Sequence, residues 1–380
     1  MARLGEIFDL QMGKTPSRNK SNYWTDGQYS WVSIADLGTY QKYVGATKEE
    51  ISEVAVRESE IKSVPANTVI MSFKLSLGKT AITKEEVYTN EAIMAFIPTG
   101  KYDVLPDYFY HLFTGKDWSK ETNRAVMGAT LNKAMLSEIS VPVPLIDEQR
   151  KIAAVLDKVS DLIAKRRQQL DKLDELVKAK FVEMFGDPVS NSLNFPLLSL
   201  PQLGEFGRGV SKHRPRNAPE LLGGKYPLIQ TGEVANSELY ISSYENTYSE
   251  FGFKQSKMWK SGTLCITIAA NIAKTAILAF DACFPDSVVG FVANEKTNNI
   301  FIHYWFGFFQ QILEAQAPES AQKNINLKIL SELEVIVPPI ELQNQFATFV
   351  EQTEKTKTTI SKSLEKLETL KKALMQEYFG

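Results

Sequence analysis

Residues 148–185 read EQRKIAAVLDKVSDLIAKRRQQLDKLDELVKAKFVEMF, and this stretch decides the fold. Its apolar residues recur every three or four positions, which is the spacing of a helix that buries one stripe. Lysines, arginines and acids fill the opposite face, as expected of a face in contact with water or a polar partner. At about 1.5 Å per residue the stretch forms a rod of about 57 Å. Such a helix needs a second helix to cover its apolar stripe.

The second helix is visible as an internal repeat. Shifted by 194 positions, the region repeats without a gap, so that Gln149 aligns with Gln343 and Phe185 with Phe379. Shared Ser-Glu, Pro and Gln positions argue against a chance likeness of two amphipathic helices. Residues 148–186 and 342–380 are therefore predicted to form a pair of long helices. The positions expected to pack in the pair are Ile152, Val155, Leu156, Val159, Leu170, Leu173, Phe346, Phe349, Val350, Leu364, Leu367 and Leu370.

Length and composition set further bounds. A chain of 380 residues is long for one domain, which favours two domains with connectors. A formal net charge of -2 excludes a uniformly basic nucleic-acid binder, so a polyanion site would have to be a local patch. Two cysteines without CxxC spacing indicate a reducing compartment and neither a zinc site nor a disulfide framework. With no signal peptide and no apolar run fit to span a bilayer, we expect a soluble cytoplasmic protein.

The segments between the long helices read as mixed α and β structure. In residues 1–147, short β-branched and aromatic runs alternate with turn residues, without the regular strand–helix alternation of a doubly wound sheet. The fold class predicted is therefore α+β. Strands are expected at 29–34, 68–73, 80–83 and 92–97, and helices at 107–113 and 132–137.

The segment 187–341 echoes the first one more faintly. Lys79-Thr80-Ala81-Ile82, for example, returns as Lys274-Thr275-Ala276-Ile277. The chain thus reads as a domain (1–147), a long helix (148–186), a second domain (187–341) and a second long helix (342–380). The two long helices match closely in sequence, whereas the two domains share only a few short motifs. This contrast indicates one scaffold that carries two different domains, or heads, as a protein that recognises a two-part target would need.

The sequence contains no recognisable catalytic constellation. Gly78-Lys79-Thr80 is not a P-loop, because Phe73 stands where the first glycine is required. Neither Asn-Pro-Pro-Tyr nor Asp-Pro-Pro-Tyr occurs, which argues against an adenine methyltransferase, and the three histidines lack metal-ligand spacing. Asp286 and Glu295-Lys296 lack the spacing of a nuclease motif. We therefore predict no catalytic residue and no metal.

Polar and basic loops are the remaining functional signal. Residues 14–20 in the first head, and Arg208 followed by residues 211–217 in the second, are rich in lysine and arginine, with Tyr23 and Trp24 after the first run. Lysine and arginine neutralise phosphates, while arginine and asparagine read base edges. A solvated loop is the alternative for each run, but the same placement in both heads favours DNA binding.

Two further groups of candidates surround these loops. Lys74, Ser76 and Lys79 correspond to Asn271 and Lys274, and polar segments precede both long helices, where hydroxyls and backbone N–H groups can anchor phosphates. The complete set of DNA-binding candidates is Lys14, Thr15, Ser17, Arg18, Lys20, Lys74, Ser76, Lys79, Thr130, Asn132, Lys133, Arg208, Lys212, His213, Arg214, Arg216, Asn271, Lys274, Lys323, Asn324 and Asn326.

Motifs at the starts of the two long helices resemble a known family. They are Gly128-Ala129-Thr130-Leu131-Asn132 and Ile139-Ser140-Val141-Pro142-Val143-Pro144 ahead of Glu148-Gln149, with Val335-Ile336-Val337-Pro338-Pro339 and Gln343 in the second copy. On these residues the chain resembles the specificity (S) subunits of type I restriction-modification enzymes. The second copy departs at residues 321–325, where the first has its Gly-Ala-Thr-Leu run.

The resemblance implies two target-recognition domains separated by an antiparallel coiled coil of the long helices, with pseudo-two-fold symmetry. Each domain would read one half of a gapped double-stranded DNA site, and the helices would set the spacer. The chain itself would bind no cofactor and catalyse nothing. Two modification subunits would bind it and carry S-adenosylmethionine for adenine-N6 methylation, and restriction/translocase subunits would join them.

Two alternatives stay open at this point. The same DNA reader could serve a methylation-only or phage-defence system that lacks the restriction nuclease. A protein of another class, a coiled-coil interaction scaffold, could bind partners through exposed aromatic residues. The aromatic residues considered for that role are Trp24, Tyr40, Tyr43, Tyr244 and Tyr248.

Overall fold

The computed structural model describes residues 1–74, 76–121, 131–269, 272–316, 325 and 327–380. It divides into two compact units, one formed by residues 1–167 and 362–380 and the other by residues 168–361. Each unit contains one α+β head and part of both long helices. We call residues 1–145 the first head and residues 186–339 the second head.

The two long helices are the largest elements. The central helix runs Ile146–Phe185 and the C-terminal helix Ile340–Phe379, each with 40 residues. Both begin two residues before the start predicted from the sequence and end one residue before the predicted end. Acidic residues in each first turn lie where the helix dipole favours negative charge.

Within the second unit the helices pair antiparallel. The ring centroid of Phe346 lies 5.3 Å from that of Phe181 and 5.5 Å from that of Phe185. Eleven residues beyond Phe346, Lys357 Nζ lies 2.8 Å from an Asp174 carboxylate oxygen. Residue numbers therefore rise along one helix as they fall along the other.

The first unit shows the same orientation. Arg167 Nη2 lies 2.6 Å from Glu368 Oε1. Toward the end of the C-terminal helix, Leu374 and Met375 pack against the core cluster that contains Ile152 and Leu156. The antiparallel pair implied by the family resemblance is thus present in each unit.

The apolar stripe is narrower than predicted. Val155 is 40% exposed and Leu370 46% exposed, so the prediction that these two pack in the pair is wrong. The buried positions Ile152, Leu156 and Val159 already define the stripe, and a residue next to Leu156 is turned by about 100° around the helix. Of the other predicted positions, Phe346 and Val350 are buried, and Leu170, Leu173, Phe349, Leu364 and Leu367 are half-buried.

The stripe packs against the heads as well as against the partner helix. Ile152 and Leu156 belong to the core of the first head, together with Phe8, Phe96 and Phe109. Phe181 and Phe346 similarly belong to the main core of the second head. A head and its helices therefore form one continuous apolar core in each unit.

The first head contains a four-stranded antiparallel sheet and a three-stranded sheet. The larger has the order Phe8–Met12, Ile93–Pro98, Val69–Ser72, Thr80–Ile82, and the smaller has Glu49–Ile51, Tyr29–Val32, Tyr88–Thr89. A two-stranded sheet joins Ala2–Arg3 to Ser140–Val141. The α-helices are Leu4–Ile7, Ile34–Leu37, Glu53–Ser59, Pro106–Gly115 and Lys133–Glu138, with 3-10 turns at Ser21–Tyr23 and Trp118–Glu121.

The second head has the same plan, but each of its two main sheets has one strand more. Its five-stranded sheet has the order Gly204–Arg208, Val288–Ala293, Leu264–Thr267, Thr275–Leu278, Tyr240–Ile241. Its four-stranded sheet has Asn246–Tyr248, Leu222–Leu228, Ala282–Cys283, Met258–Trp259, and Leu197–Ser199 pairs with Glu334–Ile336. The α-helices are Leu200–Leu203, Thr231–Asn236, Glu250–Lys254, Asn299–Gln316 and Leu327–Ser331, with a 3-10 turn at Pro219–Leu221. The predicted α+β class is confirmed.

A buried glutamine anchors the first head to the start of the central helix. Gln149 is fully buried, and its Nε2 donates to the carbonyl oxygens of Asp103 at 2.8 Å and Pro144 at 2.9 Å. Its Oε1 accepts from the backbone N–H of Leu105 at 2.9 Å. One side chain therefore satisfies three backbone groups where the helix begins.

The second head is anchored in the same way. Gln343 is fully buried, and its Nε2 donates to the carbonyl oxygens of Lys296 at 3.1 Å and Pro338 at 2.8 Å. Its Oε1 accepts from the Thr297 hydroxyl at 2.8 Å. The glutamine shared by the two copies in the sequence is thus a duplicated structural anchor.

Ion pairs also link each head to a long helix. In the first unit, Lys42 Nζ lies 2.6 Å from carboxylate oxygens of both Asp107 and Asp157, and His111 Nε2 lies 2.8 Å from Asp157. Burial alone would lower the pKa of Lys42, but the hydrogen bonds from the two carboxylates outweigh burial and raise it. Burial lowers the pKa of His111. Lys42 therefore stays charged and holds the head to the central helix.

In the second unit the helix supplies the cation. Lys357 is 5% exposed and its Nζ contacts carboxylates of Asp174 at 2.8 Å, Glu354 at 3.2 Å and Glu238 of the head. Burial alone would lower the pKa of Lys357, but the hydrogen bonds from Asp174 and Glu238 raise it. Burial raises the pKa of Glu354. This cluster holds three acids around one buried cation.

We expect Lys357→Met to destabilise the second unit. Breaking a buried pair costs about 3–5 kcal/mol, but the Asp174 and Glu238 side chains are 51% and 70% exposed, which reduces the expected loss to about 1–3 kcal/mol. Denaturant unfolding at pH 7 measures the loss. Lys355→Met, an exposed neighbour, should change the free energy of unfolding by less than about 0.5 kcal/mol. Equal effects of the two substitutions would contradict the role of the cluster.

Candidate nucleic-acid interface

The first basic loop, residues 14–20, is held by acids from elsewhere in the first head. Arg18 donates to both carboxylate oxygens of Glu49, at 2.5 and 2.9 Å, and its guanidinium stacks 3.7 Å from the Trp24 ring centroid. The hydrogen bond to Glu49 raises the pKa of Arg18 and lowers that of Glu49. Lys20 Nζ donates to Glu58 at 2.8 Å. The cations predicted for this loop are thus exposed but paired within the head.

The other loop candidates are fixed through backbone and hydroxyl contacts. Lys14 Nζ donates to the carbonyl oxygen of Ser59, and the Ser17 carbonyl accepts from Trp24 Nε1 at 3.1 Å. Thr15 is part of a three-residue network, in which Asn90 Nδ2 donates to the Thr15 hydroxyl at 3.0 Å and that hydroxyl donates to Glu91. The first basic loop is therefore an ordered surface.

The second basic loop, residues 211–217, is organised by one carboxylate and one amide. Arg216 Nη2 lies 2.5 Å from Asp286 Oδ1, and Arg214 Nη2 lies 3.5 Å from Asp286 Oδ2. Gln255 Oε1 accepts from the backbone N–H groups of Lys212 at 2.5 Å and His213 at 2.9 Å. Both arginines keep about half of their side-chain surface exposed. They remain accessible to a phosphate or a base edge.

Sheet register gives the correspondence between the two loops. Gly13 N–H donates to the Ile93 carbonyl at 3.1 Å in the first head, and Gly209 N–H donates to the Val288 carbonyl at 2.8 Å in the second. A side chain on either glycine would collide with the backbone of the neighbouring loop, so both loops need glycine here. The register aligns Thr15 with Ser211, Asn90 with Pro285, and Glu91 with Asp286.

A second repeated feature is the turn before each Lys-Thr-Ala-Ile run. The Ser72 hydroxyl accepts from Lys79 N–H at 3.1 Å, and the Thr267 hydroxyl accepts from Lys274 N–H at 3.1 Å. Lys79 and Lys274 are exposed, and Lys274 Nζ donates to Gln310 at 3.1 Å. Lys74 Nζ lies 5.2 Å from the ring centroid of Phe73, and the Ser76 carbonyl accepts a hydrogen bond from the Ser72 hydroxyl.

The remaining candidates fall into three groups. Asn132 caps the helix Lys133–Glu138, because its side-chain Oδ1 accepts from Met135 N–H at 2.9 Å. This oxygen already has a structural role. Arg208 ends an edge strand of the five-stranded sheet, and Arg208 and Lys133 are exposed. Thr130, Asn271, Lys323, Asn324 and Asn326 lie outside the described residues.

The aromatic residues proposed for a protein-binding scaffold are only partly exposed. Tyr248 is 1% exposed and belongs to a core cluster, so its prediction as an exposed residue is wrong. Trp24 lies under the guanidinium of Arg18. Tyr43 and Tyr244 are exposed. Tyr248 is therefore not available to a docking partner.

The sequence could not reveal the residues that organise the loops. Glu49, Glu58 and Glu91 are separated from their partners by 31, 38 and 76 residues, and ordinary surface acids look the same in a sequence. Asp286 was considered only as part of a nuclease motif, and its actual partners are Arg214 and Arg216. Loop basicity was the visible signal; the pairing depends on the tertiary fold.

The described ranges contain no group of three or more histidine, cysteine and carboxylate side chains placed to hold a metal ion. Their helices include none with the length and apolarity required to cross a membrane.

Duplicated α+β heads, paired long helices and ordered basic loops define the architecture of a two-headed protein. The sequence matches the type I restriction modification DNA specificity domain over residues 1–175 and 200–371. The chain therefore belongs to this family, as its helix-start motifs indicated.

Individual relatives agree with this assignment. The chain is 31% identical over 189 residues to the MjaIX specificity subunit of Methanocaldococcus jannaschii, covering 49% of this chain and 43% of that protein. It is 32% identical over 187 residues to the EcoR124I/EcoR124II specificity subunit of Escherichia coli, covering 47% of this chain and 45% of that one. These matches span less than half the length of either relative.

A solved structure has a similar fold. The S subunit of a type I restriction-modification system from M. genitalium superposes with a TM-score of 0.64, covering 100% of this chain and 95% of that one at 13% identity. At that identity the likeness concerns the fold alone. It confirms two α+β domains with a long-helix pair as the architecture.

Proposed function

We propose that this chain is the DNA-specificity subunit of a type I restriction-modification complex. Each head reads one half of a gapped duplex site, and the long helices set the unread spacer. The observation that carries the proposal is the contrast between the two copies. Gln149 and Gln343 each donate to two backbone carbonyls in corresponding places, whereas the loops that contain Arg18 and Arg214 pair with different acids at different places.

Family membership and the duplicated fold support this reading. A duplicated scaffold presents two surfaces in related positions, and different loop chemistry lets each surface select its own sequence. Arg18 and Arg216 each keep about half of their side-chain surface exposed, which leaves room for contact with a phosphate or a base edge.

We propose further that the chain catalyses no reaction and acts through partners. Two modification subunits would carry S-adenosylmethionine and methylate adenine within the site that this chain selects, and restriction/translocase subunits would complete the enzyme. The chain's contribution is to place those subunits on one sequence. A net charge of -2 fits this division, because partner subunits can supply much of the phosphate neutralisation.

Methylome sequencing tests the proposal. Cells that express this chain with its methyltransferase subunits should carry methyladenine in one gapped motif. Replacing residues 1–145 with the first head of another family member should change one half of that motif and leave the other half and the spacer intact. No motif, or a change in both halves, would contradict the proposal.

The second basic loop gives a quantitative prediction. Arg214→Ala/Arg216→Ala should lower the slope of log affinity against log salt by about 1–2, because about 0.9 counterions are released per neutralised phosphate. The melting temperature should stay nearly constant, since exposed ion pairs contribute little stability. Lys260→Ala is the matched control, because Lys260 also pairs with an acid, Asp281, at 2.8 Å. An unchanged slope in the double variant would remove this loop from the interface.

A further inference from the structure

A pocket of about 220 Å³ with mixed polar and apolar lining opens beside the second basic loop. Leu222, Leu228, Tyr248 and Pro285 contribute its apolar wall, which is about as extensive as the polar part. The polar side chains that line it are Ser211, Arg216, Asn217, Gln230, Thr231 and Ser287.

The first head fills the corresponding place with its own hydrogen bonds. There the Thr15 hydroxyl is held between Asn90 and Glu91. In the second head the counterpart of Asn90 is Pro285, which has no amide to donate, and the counterpart of Glu91 is Asp286, which contacts arginines instead. Both partners of the hydroxyl are thereby lost.

The consequence is a buried hydroxyl with no partner. Ser211 is 6% exposed, and its Oγ has no hydrogen-bond partner among the described residues. Buried polar groups are nearly always satisfied, so a water or a ligand group that enters the pocket supplies the missing bond. The corresponding hydroxyl of the first head, Thr15, is satisfied, although Ser59 Oγ and Thr89 Oγ1 of that head also lack a partner among the described residues.

The lining selects the chemical class of that ligand. A phosphate accepts hydrogen bonds only, whereas Asn217 and Gln230 offer a donor and an acceptor on one carboxamide each. Carboxamides pair bidentately with N6 and N7 of adenine, and a hydroxyl can bond either a donor or an acceptor on a base edge. Arg216, held by Asp286 at the rim, is placed to contact the adjoining backbone or a guanine edge.

We propose that this pocket is the position at which the second head reads a base of its half-site, with adenine as the base that its two carboxamides fit. The inference rests on the proposed function and assigns residues to it. Asn217 and Gln230 specify the base, Ser211 and Ser287 complete its hydrogen bonds, and Arg216 positions the strand. The first head reads its own half-site through different groups.

The test compares variants in the assembled methyltransferase complex. Asn217→Ala/Gln230→Ala should make one position degenerate in the half-site that the first-head exchange leaves unchanged. Discrimination at that position should fall at least ~5-fold, the loss expected from one bidentate contact. Ser211→Ala should weaken the same position without lowering the melting temperature, because the substitution removes an unsatisfied buried group.

The control is Asn236→Ala, which removes an exposed carboxamide of the same head outside this pocket and should leave both half-sites unchanged. An intact motif in the Asn217→Ala/Gln230→Ala variant would overturn the inference while the proposed function stands. An equal loss of affinity for all duplexes would also overturn it, since contacts to the DNA backbone carry no sequence information. If the wild-type complex methylates no gapped motif, the proposed function itself fails.

Discussion

Replacing either anchoring glutamine with alanine should cost about 3 kcal/mol or more in the free energy of unfolding. Gln149→Ala removes a fully buried side chain and leaves the N–H of Leu105 and the carbonyls of Asp103 and Pro144, which are part-buried, without their partner. Each unsatisfied buried group costs about 1–3 kcal/mol, and water entering the cavity recovers part of that. A loss of this size would shift the melting temperature by several degrees.

Gln343→Ala should cause a loss of similar size, because the second copy makes the same number of bonds. Glu148→Ala and Glu341→Ala are the matched controls, since both acids are exposed at the same level of the helices and should cost less than about 1 kcal/mol. Hydrogen exchange would localise the loss to the head that carries the substitution. A stable Gln149→Ala variant would show that the anchor is dispensable.

The second large effect concerns the spacer of the recognised site. Insertion of four residues beside both Leu170 and Leu364, equivalent positions in the repeat, lengthens each helix by about 6 Å and turns it by about 400°. The apolar stripe then continues nearly in phase. Since duplex DNA rises about 3.4 Å per base pair, the methylated motif should gain one or two unread base pairs. Methylome sequencing measures the new spacer.

Two controls separate spacing from damage. Insertion of two residues turns the helix by about 200° and should disrupt the apolar stripe, which lowers the melting temperature. Insertion into one helix alone shifts one partner against the other and should do the same. If the four-residue variant keeps the original spacer with full activity, the helices do not set the distance.

Much of the scaffold could be predicted because its signals are local. The two 40-residue helices are indicated by apolar residues spaced three and four positions apart. The strands Val69–Ser72, Thr80–Ile82 and Ile93–Pro98 coincide with apolar runs between turn residues. The strand Phe8–Met12 was not predicted, although its residues alternate between apolar and polar. The helix Glu53–Ser59 was also missed; its signal was the cap at Ser52.

The candidate interface was less predictable because its contacts are distant in sequence. Basic residues were visible, but the acids that hold them come from other strands and helices of the same head. Whether a hydroxyl such as Ser211 is satisfied depends on which residue the sheet register sets beside it, and that register follows from the fold of the whole head. Composition could locate the loops but could not show which groups are left without partners.

The reversed charges of the head–helix ion pairs carry a consequence for hybrid proteins. In the first unit a head lysine, Lys42, meets the helix acid Asp157, whereas in the second a head acid, Glu238, meets the helix lysine Lys357. The head carries the positive charge of this ion pair in the first unit and the negative charge in the second. A recombinant that transplants a head to the other position would lose its complementary charge, so viable exchange between strains is constrained to like positions unless the junction residues travel with the head.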